Sequence, residues 1–356
     1  MNKIMILGAG KIGSAIIDIF STSKDYDITI VDNSPEFLAL IPDGKIKKLV
    51  LDVKDENALN QAMTGHHSIL SALPFFLNPA VARAAKNAGC HYFDLTEDVA
   101  TTKTVRQLSQ GANTAFVPQC GLAPGFISIV AHHLTKKFDR LRDVRMRVGA
   151  LPQFPVNGLK YNLTWSTDGL INEYCNPCEA IYEGNFTETI ALEGLENFSL
   201  DGIDYEAFNT SGGLGTLCET LEGKVQSLDY KTVRYPGHRD IIKLLLDDLR
   251  LRDKRDLFKD ILETSIPITH QDVVLIFVTV SGWQNNRLTQ ETYAKKIYAK
   301  EINGKLMSAI QITTAAGICA LVDLYAQNKL LSKGFIKQED VSLNDFLDNR
   351  FGKFYT

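Results

Sequence analysis

Three glycines near the start of the chain are spaced as in loops that bind the phosphates of a dinucleotide. Gly8, Gly10 and Gly13 form a G-x-G-x-x-G pattern between the apolar run Ile4–Leu7 and the helix-like segment Ser14–Phe20. The first glycine permits a tight turn, the second lets a pyrophosphate approach the backbone, and the third lets the helix pack close to the strand. Free N–H groups at the helix N-terminus would then attract the phosphates.

Asp32 is a further residue that could bind the cofactor. It ends the apolar run Ile28–Val31, nineteen residues after Gly13, where a carboxylate would accept hydrogen bonds from an adenosine ribose. The alternative is a structural strand-turn-helix with an ordinary aspartate at a strand end. No arginine stands in Asn33–Pro35 to hold a 2′-phosphate, so the sequence favours NAD over NADP.

Composition and charge exclude several classes of protein. The chain has 356 residues, of which 45% are hydrophobic and 22% charged, and a formal net charge of −4, so we expect two soluble domains and neither a nucleic-acid nor a membrane partner. No apolar run approaches the roughly 18 residues of a membrane span. No basic segment or cleavage site precedes the first strand, and the six cysteines form no disulfide framework, which predicts reduced thiols in a cytoplasmic protein.

Strand-like and helix-like segments alternate over residues 1–122. Six strands are predicted at Ile4–Leu7, Ile28–Val31, Lys47–Asp52, His67–Leu73, His91–Leu95 and Ala115–Pro118. Later helices are predicted at Pro35–Leu40, Glu56–Met63, Asn78–Ala88 and Thr102–Gln110. This order predicts an α/β fold, a Rossmann doubly wound parallel sheet that binds ligands beyond the carboxyl ends of its strands. The cofactor-binding candidates there are Gly8, Gly10, Lys11, Ile12, Gly13, Asp32, Asp52, Val53, Ala72, Leu73, Pro74, Leu95, Thr96, Gly121 and Ala123.

From residue 123 the pattern changes and predicts a second, mixed α/β domain with a largely antiparallel sheet. After a helix at Ala123–Leu134, strands are predicted at Val144–Gly149, Lys224–Tyr230, Asp272–Gly282 and Tyr293–Ile302. The apolar segment Leu306–Leu331 is expected to be a helix that returns to the first domain. The predicted domains are therefore 1–122, 123–310 and a C-terminal helical segment, 311–356.

Seven short blocks carry a family resemblance over most of the chain. They are G-A-G-K-I-G (Gly8–Gly13), S-A-L-P (Ser71–Pro74), D-L-T-E-D (Asp94–Asp98), C-G-L-A-P-G (Cys120–Gly125), T-W-S-T-D-G-L-I-N-E-Y (Thr164–Tyr174), E-A-F-N-T-S-G-G (Glu206–Gly213) and Y-K-T-V-R-Y-P-G-H (Tyr230–His238). On these blocks the chain resembles the saccharopine dehydrogenase-like oxidoreductases, and within them most closely the NAD-dependent L-lysine 6-dehydrogenases.

The resemblance implies an NAD-binding Rossmann domain, a second domain for substrate binding and dimer contacts, and a homodimer or dimer-based oligomer. The implied reaction is oxidative deamination of the side-chain amine of L-lysine to 2-aminoadipate semialdehyde, by hydride transfer to nicotinamide. A saccharopine or carboxynorspermidine dehydrogenase is the alternative enzyme. A non-catalytic NAD-binding regulatory protein is the alternative of another class.

Oxidation of an amine requires its neutral form, so the site must remove a proton from an ammonium of pKa about 10.4. Glu97, Asp98 and His238 are the candidate bases. Asp98 could instead cap the next helix, Glu97 could be a solvated loop carboxylate, and His238 could cap the helix that follows it.

An amino-acid substrate also needs a partner for its carboxylate. Arg234 offers a bidentate fork and Lys231 is the second choice, although either could form an ordinary ion pair. The remaining candidates for substrate binding are Asp94, Trp165, Asn209, Thr210 and Ser211. No metal site is expected, because the tandem pairs His66–His67 and His132–His133 point apart and the C-x-x-C at Cys175–Cys178 has no second pair.

Overall fold

The computed structural model describes residues 1–42 and 44–356, which form two compact units. The first unit comprises Met1–Phe126, Glu301–Lys305 and Gln311–Thr356. The second comprises Ile127–Lys300 and Leu306–Ile310. The segment 311–356 thus belongs with the N-terminal part of the chain, as the fold prediction required.

Strands β1 to β6 and β17 form a parallel sheet in the first unit. They are β1 (Asn2–Leu7), β2 (Tyr26–Asp32), β3 (Lys47–Val50), β4 (Ser68–Ser71), β5 (His91–Asp94), β6 (Ala115–Val117) and β17 (Gly334–Phe335). Their order is β17-β6-β5-β4-β1-β2-β3. The order from β3 to β6 is that of a doubly wound Rossmann sheet, so the predicted fold class is confirmed.

The helices of this sheet follow local sequence signals closely. They are α1 (Lys11–Phe20), α2 (Pro35–Leu40), α3 (Glu56–Met63), α4 (Asn78–Ala88) and α5 (Val99–Ser109). Helices α2, α3 and α4 have the predicted bounds. Helix α5 begins three residues before the predicted start, because the side chain of Asp98 accepts the N–H of Thr101 and caps the helix.

The C-terminal segment completes the first unit with α11 (Ala309–Ala326) and α12 (Leu343–Asp348). Gly317 lets α11 approach the β6 loop closely, since a Cβ there would lie 2.5 Å from the carbonyl oxygen of Cys120. Contrary to the expectation from sequence, α11 is long and apolar enough to span a membrane by length and composition, but 78% of it is buried, as in a core helix.

An eight-stranded mixed sheet forms the second unit in the described residues. Its strands are β7 (Arg140–Pro152), β8 (Cys178–Tyr182), β9 (Asn185–Thr189), β10 (Glu196–Leu200), β11 (Ile203–Asn209), β12 (Ser227–Arg234), β13 (Asp272–Gln284) and β14 (Arg287–Tyr298). The main order is β10-β11-β12-β7-β13-β14, and β8 joins β12 to β9. The pair β7 and β12 is parallel, whereas the other pairs of this sheet are antiparallel. The sequence did not predict β8 to β11.

The helices of the second unit are α6 (Phe126–Thr135), α7 (Thr167–Cys175), α8 (Leu217–Leu221), α9 (His238–Lys243) and α10 (Arg255–Ser265). An apolar core includes Leu170 and Tyr174 of α7, Phe208 of β11, Ile242 of α9 and Phe258 of α10. Two members of this core, Tyr161 and Tyr174, contact Arg234 at the end of β12. The short strands β15 (Lys300–Ile302) and β16 (Lys305–Met307) pair with each other.

Candidate functional site

The glycine loop between β1 and α1 has the shape of a phosphate-binding turn. Gly8 has φ +99°, and a Cβ there would lie 2.9 Å from the carbonyl oxygen of Ala72 at the end of β4. A Cβ on Gly13 would overlap the carbonyl oxygen of Gly8. In contrast, a Cβ on Gly10 would meet no described atom within 4 Å, so open space lies at the N-terminus of α1. The loop therefore fits a pyrophosphate.

The two glycines make a matched pair of test variants. Gly13→Ala is expected to destabilise the free protein by about 1–3 kcal/mol, because the new methyl group overlaps the loop backbone. Gly10→Ala should leave the free protein stable and weaken NAD binding, because its methyl group takes the space of the phosphates. Thermal unfolding with and without NAD separates the two effects, and equal loss of stability in both free variants would contradict this geometry.

Asp32 lies at the end of β2 and is held by two backbone groups. Its Oδ2 accepts the N–H of Ala9 at 2.7 Å, and its Oδ1 accepts the N–H of Ser34 at 2.8 Å. The carboxylate forms no ion pair in the part of the chain that the structure describes. About two of its four lone-pair positions remain for ribose hydroxyls. Asp32 thus both shapes the glycine loop and can bind a ribose.

The other cofactor candidates also lie on the carboxyl edge of the sheet, but they differ in exposure. Surface remains at Lys11, Ile12, Asp52, Ala72, Leu73, Pro74, Leu95 and Ala123. Three candidates, Val53, Thr96 and Gly121, are buried, so their contribution to a cofactor site is confined to shaping the loops.

Asp94 does not have the surface that a substrate-binding residue needs. It is 0% exposed, and its carboxylate accepts the N–H groups of Thr96 and Gln119, both at 2.9 Å, and the hydroxyl of Tyr92 at 2.7 Å. Burial raises the pKa of the Asp94 carboxyl. The predicted contact with substrate is therefore corrected: Asp94 joins the ends of β5 and β6.

The two carboxylates after β5 have different environments. Asp98 accepts the N–H of Thr101 and caps α5, which was the structural alternative predicted for it. One of its two carboxylate oxygens is therefore already hydrogen-bonded. Glu97 is partly buried and directly follows the carboxyl end of the strand pair that Asp94 joins. Of the two, Glu97 remains the candidate base on this edge.

Lys231 belongs to a buried ion-pair network on the sheet of the second unit. Its Nζ lies 2.9 Å from an oxygen of Glu196, which also pairs with Arg147, and Arg147 pairs with Asp229 at 2.9 Å. Although burial acts to raise the pKa of Glu196, Arg147 and Lys231 hold it below its ordinary value. The carboxylates already neutralise Lys231, so its prediction as a substrate anchor is corrected.

Arg234 is the other predicted carboxylate anchor and lies at the end of β12. It is 2% exposed and makes no ion pair among the described residues. Its Nε donates to the hydroxyl of Tyr174 at 3.1 Å, and its Nη1 donates to the carbonyl of Val233 at 2.8 Å. The guanidinium also lies over the ring of Tyr161, 4.8 Å from the centroid. The buried carboxylate of Glu173 acts on Arg234 electrostatically but forms no ion pair with it. A buried guanidinium that no carboxylate touches is a strong candidate for an anion site.

His238 begins α9 and is 0% exposed. Its Nδ1 lies 2.8 Å from the carbonyl oxygen of Leu159 and its Nε2 lies 3.0 Å from the hydroxyl of Tyr174. Burial and the charge of Arg234 lower the pKa of His238 to about 3. Both ring nitrogens are engaged and no ligand can reach them in this structure. The predicted role as the base that touches the amine is therefore corrected to a structural one.

The polar turn after β11 contains one buried hydroxyl without a hydrogen-bond partner. Ser211 donates to the carbonyl of Pro177 at 2.8 Å, and Asn209 approaches the carbonyl of Ile190 at 3.4 Å. Thr210 is 2% exposed and its hydroxyl has no hydrogen-bond partner in the described chain. Trp165 donates to the hydroxyl of Tyr161 at 3.2 Å. Thr210 is thus the member of the turn best suited to a ligand.

Two residues that sequence analysis left without a role complete this cluster. Tyr174 links Arg234 to His238, and Glu206 accepts the N–H groups of Gly237 and Arg239 at the start of α9. Both lie in the blocks that carried the resemblance, which was the signal available.

Within the described residues, no group of three His, Cys, Asp or Glu side chains could hold a metal ion, and all six cysteines are free thiols.

Family models cover almost the whole chain. The saccharopine dehydrogenase NADP binding domain matches residues 4–117, and the saccharopine dehydrogenase C-terminal domain matches residues 121–349. The chain belongs to the saccharopine dehydrogenase family. The N-terminal unit is accordingly an NAD(P)-binding domain of an oxidoreductase family.

Individual members of the saccharopine dehydrogenase family are distant in sequence. The saccharopine dehydrogenase [NADP(+), L-glutamate-forming] of Schizosaccharomyces pombe is 22% identical over 261 residues, which are 69% of this chain and 58% of that protein. The mitochondrial alpha-aminoadipic semialdehyde synthase of Bos taurus is 20% identical over 320 residues, 83% of this chain and 33% of that protein. The chain thus spans less than two thirds of the length of these relatives.

Two solved structures share the fold over nearly the full chain. The apo saccharopine dehydrogenase (L-Glu forming) of Saccharomyces cerevisiae has a TM-score of 0.81 at 15% identity and covers 97% of this chain and 96% of its own. A homospermidine synthase of Legionella pneumophila in complex with NAD has a TM-score of 0.71 at 13% identity and covers 99% of this chain and 89% of its own. At such identities the likeness establishes the fold alone.

Proposed function

We propose that this chain oxidises the side-chain amine of L-lysine with NAD as hydride acceptor. The observation that carries the proposal is Arg234, a buried guanidinium that no carboxylate touches among the described residues, although Glu173 acts on it electrostatically. An amino-acid substrate would bring a carboxylate into direct contact with Arg234, and the resemblance of the surrounding blocks to lysine 6-dehydrogenases favours L-lysine as the amine.

Binding and orientation are the main tasks of the residues of this chain. Gly8, Gly10 and Gly13 would hold the pyrophosphate and Asp32 the adenosine ribose. When bound, the nicotinamide supplies a hydride acceptor. Arg234 would hold the substrate carboxylate, and Glu97 is the proposed base that takes a proton from the ammonium. Water then adds to the oxidised carbon and ammonia leaves, which gives the semialdehyde.

A second candidate is saccharopine oxidation, which is supported by the saccharopine dehydrogenases among the yeast relatives. Saccharopine is a secondary amine that carries more than one carboxylate, so it too would need Arg234. A panel of L-lysine, saccharopine and carboxynorspermidine, each with NAD and NADP, decides between the enzymes through the absorbance of the reduced cofactor. Cofactor binding without turnover of any amine would favour a regulatory protein and contradict the proposal.

Preference for NAD is expected from the charge of Asp32, which would repel a 2′-phosphate. Asp32→Asn should lower the ratio of kcat/KM with NAD to that with NADP by about tenfold, the effect of roughly 1.4 kcal/mol. Asp32→Ala should relax the preference as well, but it should also weaken the binding of both cofactors, because the N–H groups of Ala9 and Ser34 lose their acceptor. A native protein that uses NADP at lower concentration than NAD would show that Asp32 does not bind the ribose as proposed.

The proton that must leave the ammonium predicts a pH profile. Below a pKa of about 10.4 the neutral fraction of a lysine side chain rises about tenfold per pH unit. Oxidation of L-lysine should therefore be faster on the alkaline side of neutrality and slow in acid. Initial rates from pH 6 to 10 test this, with enzyme stability checked at each pH, and a flat profile would remove the argument for proton abstraction.

A further inference from the structure

We propose that Tyr174 and His238 are positioning residues that aim Arg234 at a substrate carboxylate, and so select an amino acid over the same amine without a carboxylate. This inference rests on the proposed function, because it deepens the role given there to Arg234. It concerns a chain of hydrogen bonds inside the second unit that neither the sequence nor the family assignment identifies.

The donor and the acceptor of each hydrogen bond that links Arg234, Tyr174, His238 and Leu159 can be assigned. The carbonyl of Leu159 can only accept, so Nδ1 of His238, 2.8 Å away, carries the ring proton. A neutral imidazole then accepts at Nε2, which makes Tyr174 the donor in the 3.0 Å contact. The hydroxyl oxygen of Tyr174 in turn accepts from Nε of Arg234 at 3.1 Å. The chain runs from Arg234 through Tyr174 and His238 to Leu159.

The surroundings keep His238 neutral. It faces the cation Arg234, the hydroxyl of Tyr174, the rings of Tyr161 and Phe208, and the Leu159 carbonyl. Burial and the nearby guanidinium lower the pKa of His238 to about 3. An imidazolium could not accept from Tyr174, so the neutral ring is what lets the tyrosine turn its lone pairs toward Arg234.

The guanidinium is held in one plane as a result. Nε is bonded to Tyr174, Nη1 is bonded to Val233, and the ring of Tyr161 lies against the face of the group. In the described chain the Nη2 amino group donates to no acceptor. A planar fork fixed at one end and free at the other is prepared for a carboxylate and loses little side-chain freedom when it binds one.

The variant Tyr174→Phe tests this arrangement, because it removes the hydroxyl and keeps the ring. It should lower kcat/KM for L-lysine about 3- to 10-fold, the effect of one hydrogen bond, mainly through KM. The value for 1,5-diaminopentane, the same amine without a carboxylate, should stay within about twofold. A purely structural role would lower both values together, and that result would overturn the proposal.

The matched control is Tyr161→Phe. Its hydroxyl accepts a hydrogen bond from Trp165 and takes no part in the hydrogen bonds from Arg234 to Leu159, while its ring packs against Arg234. The ratio of the two substrates should therefore stay at the native value. The same loss of discrimination in this variant would show that any disturbance of the aromatic core produces it.

A measurement without turnover keeps the inference independent of the proposed function. The ¹⁵N NMR spectrum of His238 in the native protein should show a protonated Nδ1 and an unprotonated Nε2 from pH 5 to 8. Calorimetry with NAD present should show L-lysine binding more tightly than 1,5-diaminopentane, and Tyr174→Phe should reduce that difference. Turnover of no amine together with these results would reject the lysine oxidation alone. An imidazolium, the opposite tautomer or equal binding of both amines would reject the positioning chain.

Discussion

Replacing Arg234 by alanine is expected to raise KM for L-lysine by about 10- to 150-fold, which is the loss of a charged hydrogen bond of roughly 1.5–3 kcal/mol. The value of kcat should change little, because an anchor remote from the reacting carbon binds the substrate and the transition state alike. Initial rates over a range of L-lysine concentrations at saturating NAD measure both parameters. An unchanged KM would remove Arg234 from the substrate site.

Two further variants define what Arg234 contributes. Arg234→Lys keeps a positive charge but not the planar fork, so it should restore only part of the affinity. Lys231→Met is the matched control, because Lys231 lies three residues earlier on the same strand and is already paired with Glu196. Its KM should stay close to the native value. A larger effect at Lys231 than at Arg234 would reverse the assignment made from the ion pairs.

Local signals in the sequence were enough for the first unit. The bounds of α4 could be predicted because Asn78 and Pro79 start the helix and Gly89, with φ +69°, ends it. The glycine loop could be predicted because Gly8 and Gly13 leave no room for a Cβ, and Gly10 leaves open space at the start of the helix. The four short strands from β8 to β11 gave no comparable signal, since β10 alternates between partly buried and exposed residues without a strong apolar run.

The candidate site could be predicted by residue type but not by role. The sequence pointed to a histidine, an arginine and an aspartate, but their roles depend on partners from distant parts of the chain. His238 bonds to Tyr174, 64 residues earlier, and Asp94 bonds to Gln119, 25 residues later. A sequence pattern shows that an imidazole is present, whereas only the fold shows that both of its nitrogens are occupied.

The burial of His238 leads to the last expected result, a loss of stability in acid. In the unfolded chain a histidine binds its proton near pH 6.5, but in the folded chain the pKa of His238 is lowered to about 3. Between these values the unfolded state holds more protons, so the free energy of unfolding must fall as the pH is lowered. The full stability is present above pH 6.5. The loss of stability from this one group reaches about 4 kcal/mol by pH 3.

Hydrogen exchange of the amides in β12 and α9 would report this loss for the second unit. His238→Gln, which removes the titration, should be less stable at pH 7, because a glutamine matches the imidazole contacts poorly, but should lose less stability between pH 6.5 and pH 4. His91→Gln is the control, since His91 lies in β5 of the first unit and burial lowers its pKa to about 4. That variant should flatten the pH dependence of the amides around β5 and leave β12 unchanged. If His238→Gln and the native protein lost the same stability in acid at β12, His238 would not be the neutral, buried group from which the positioning of Arg234 was argued.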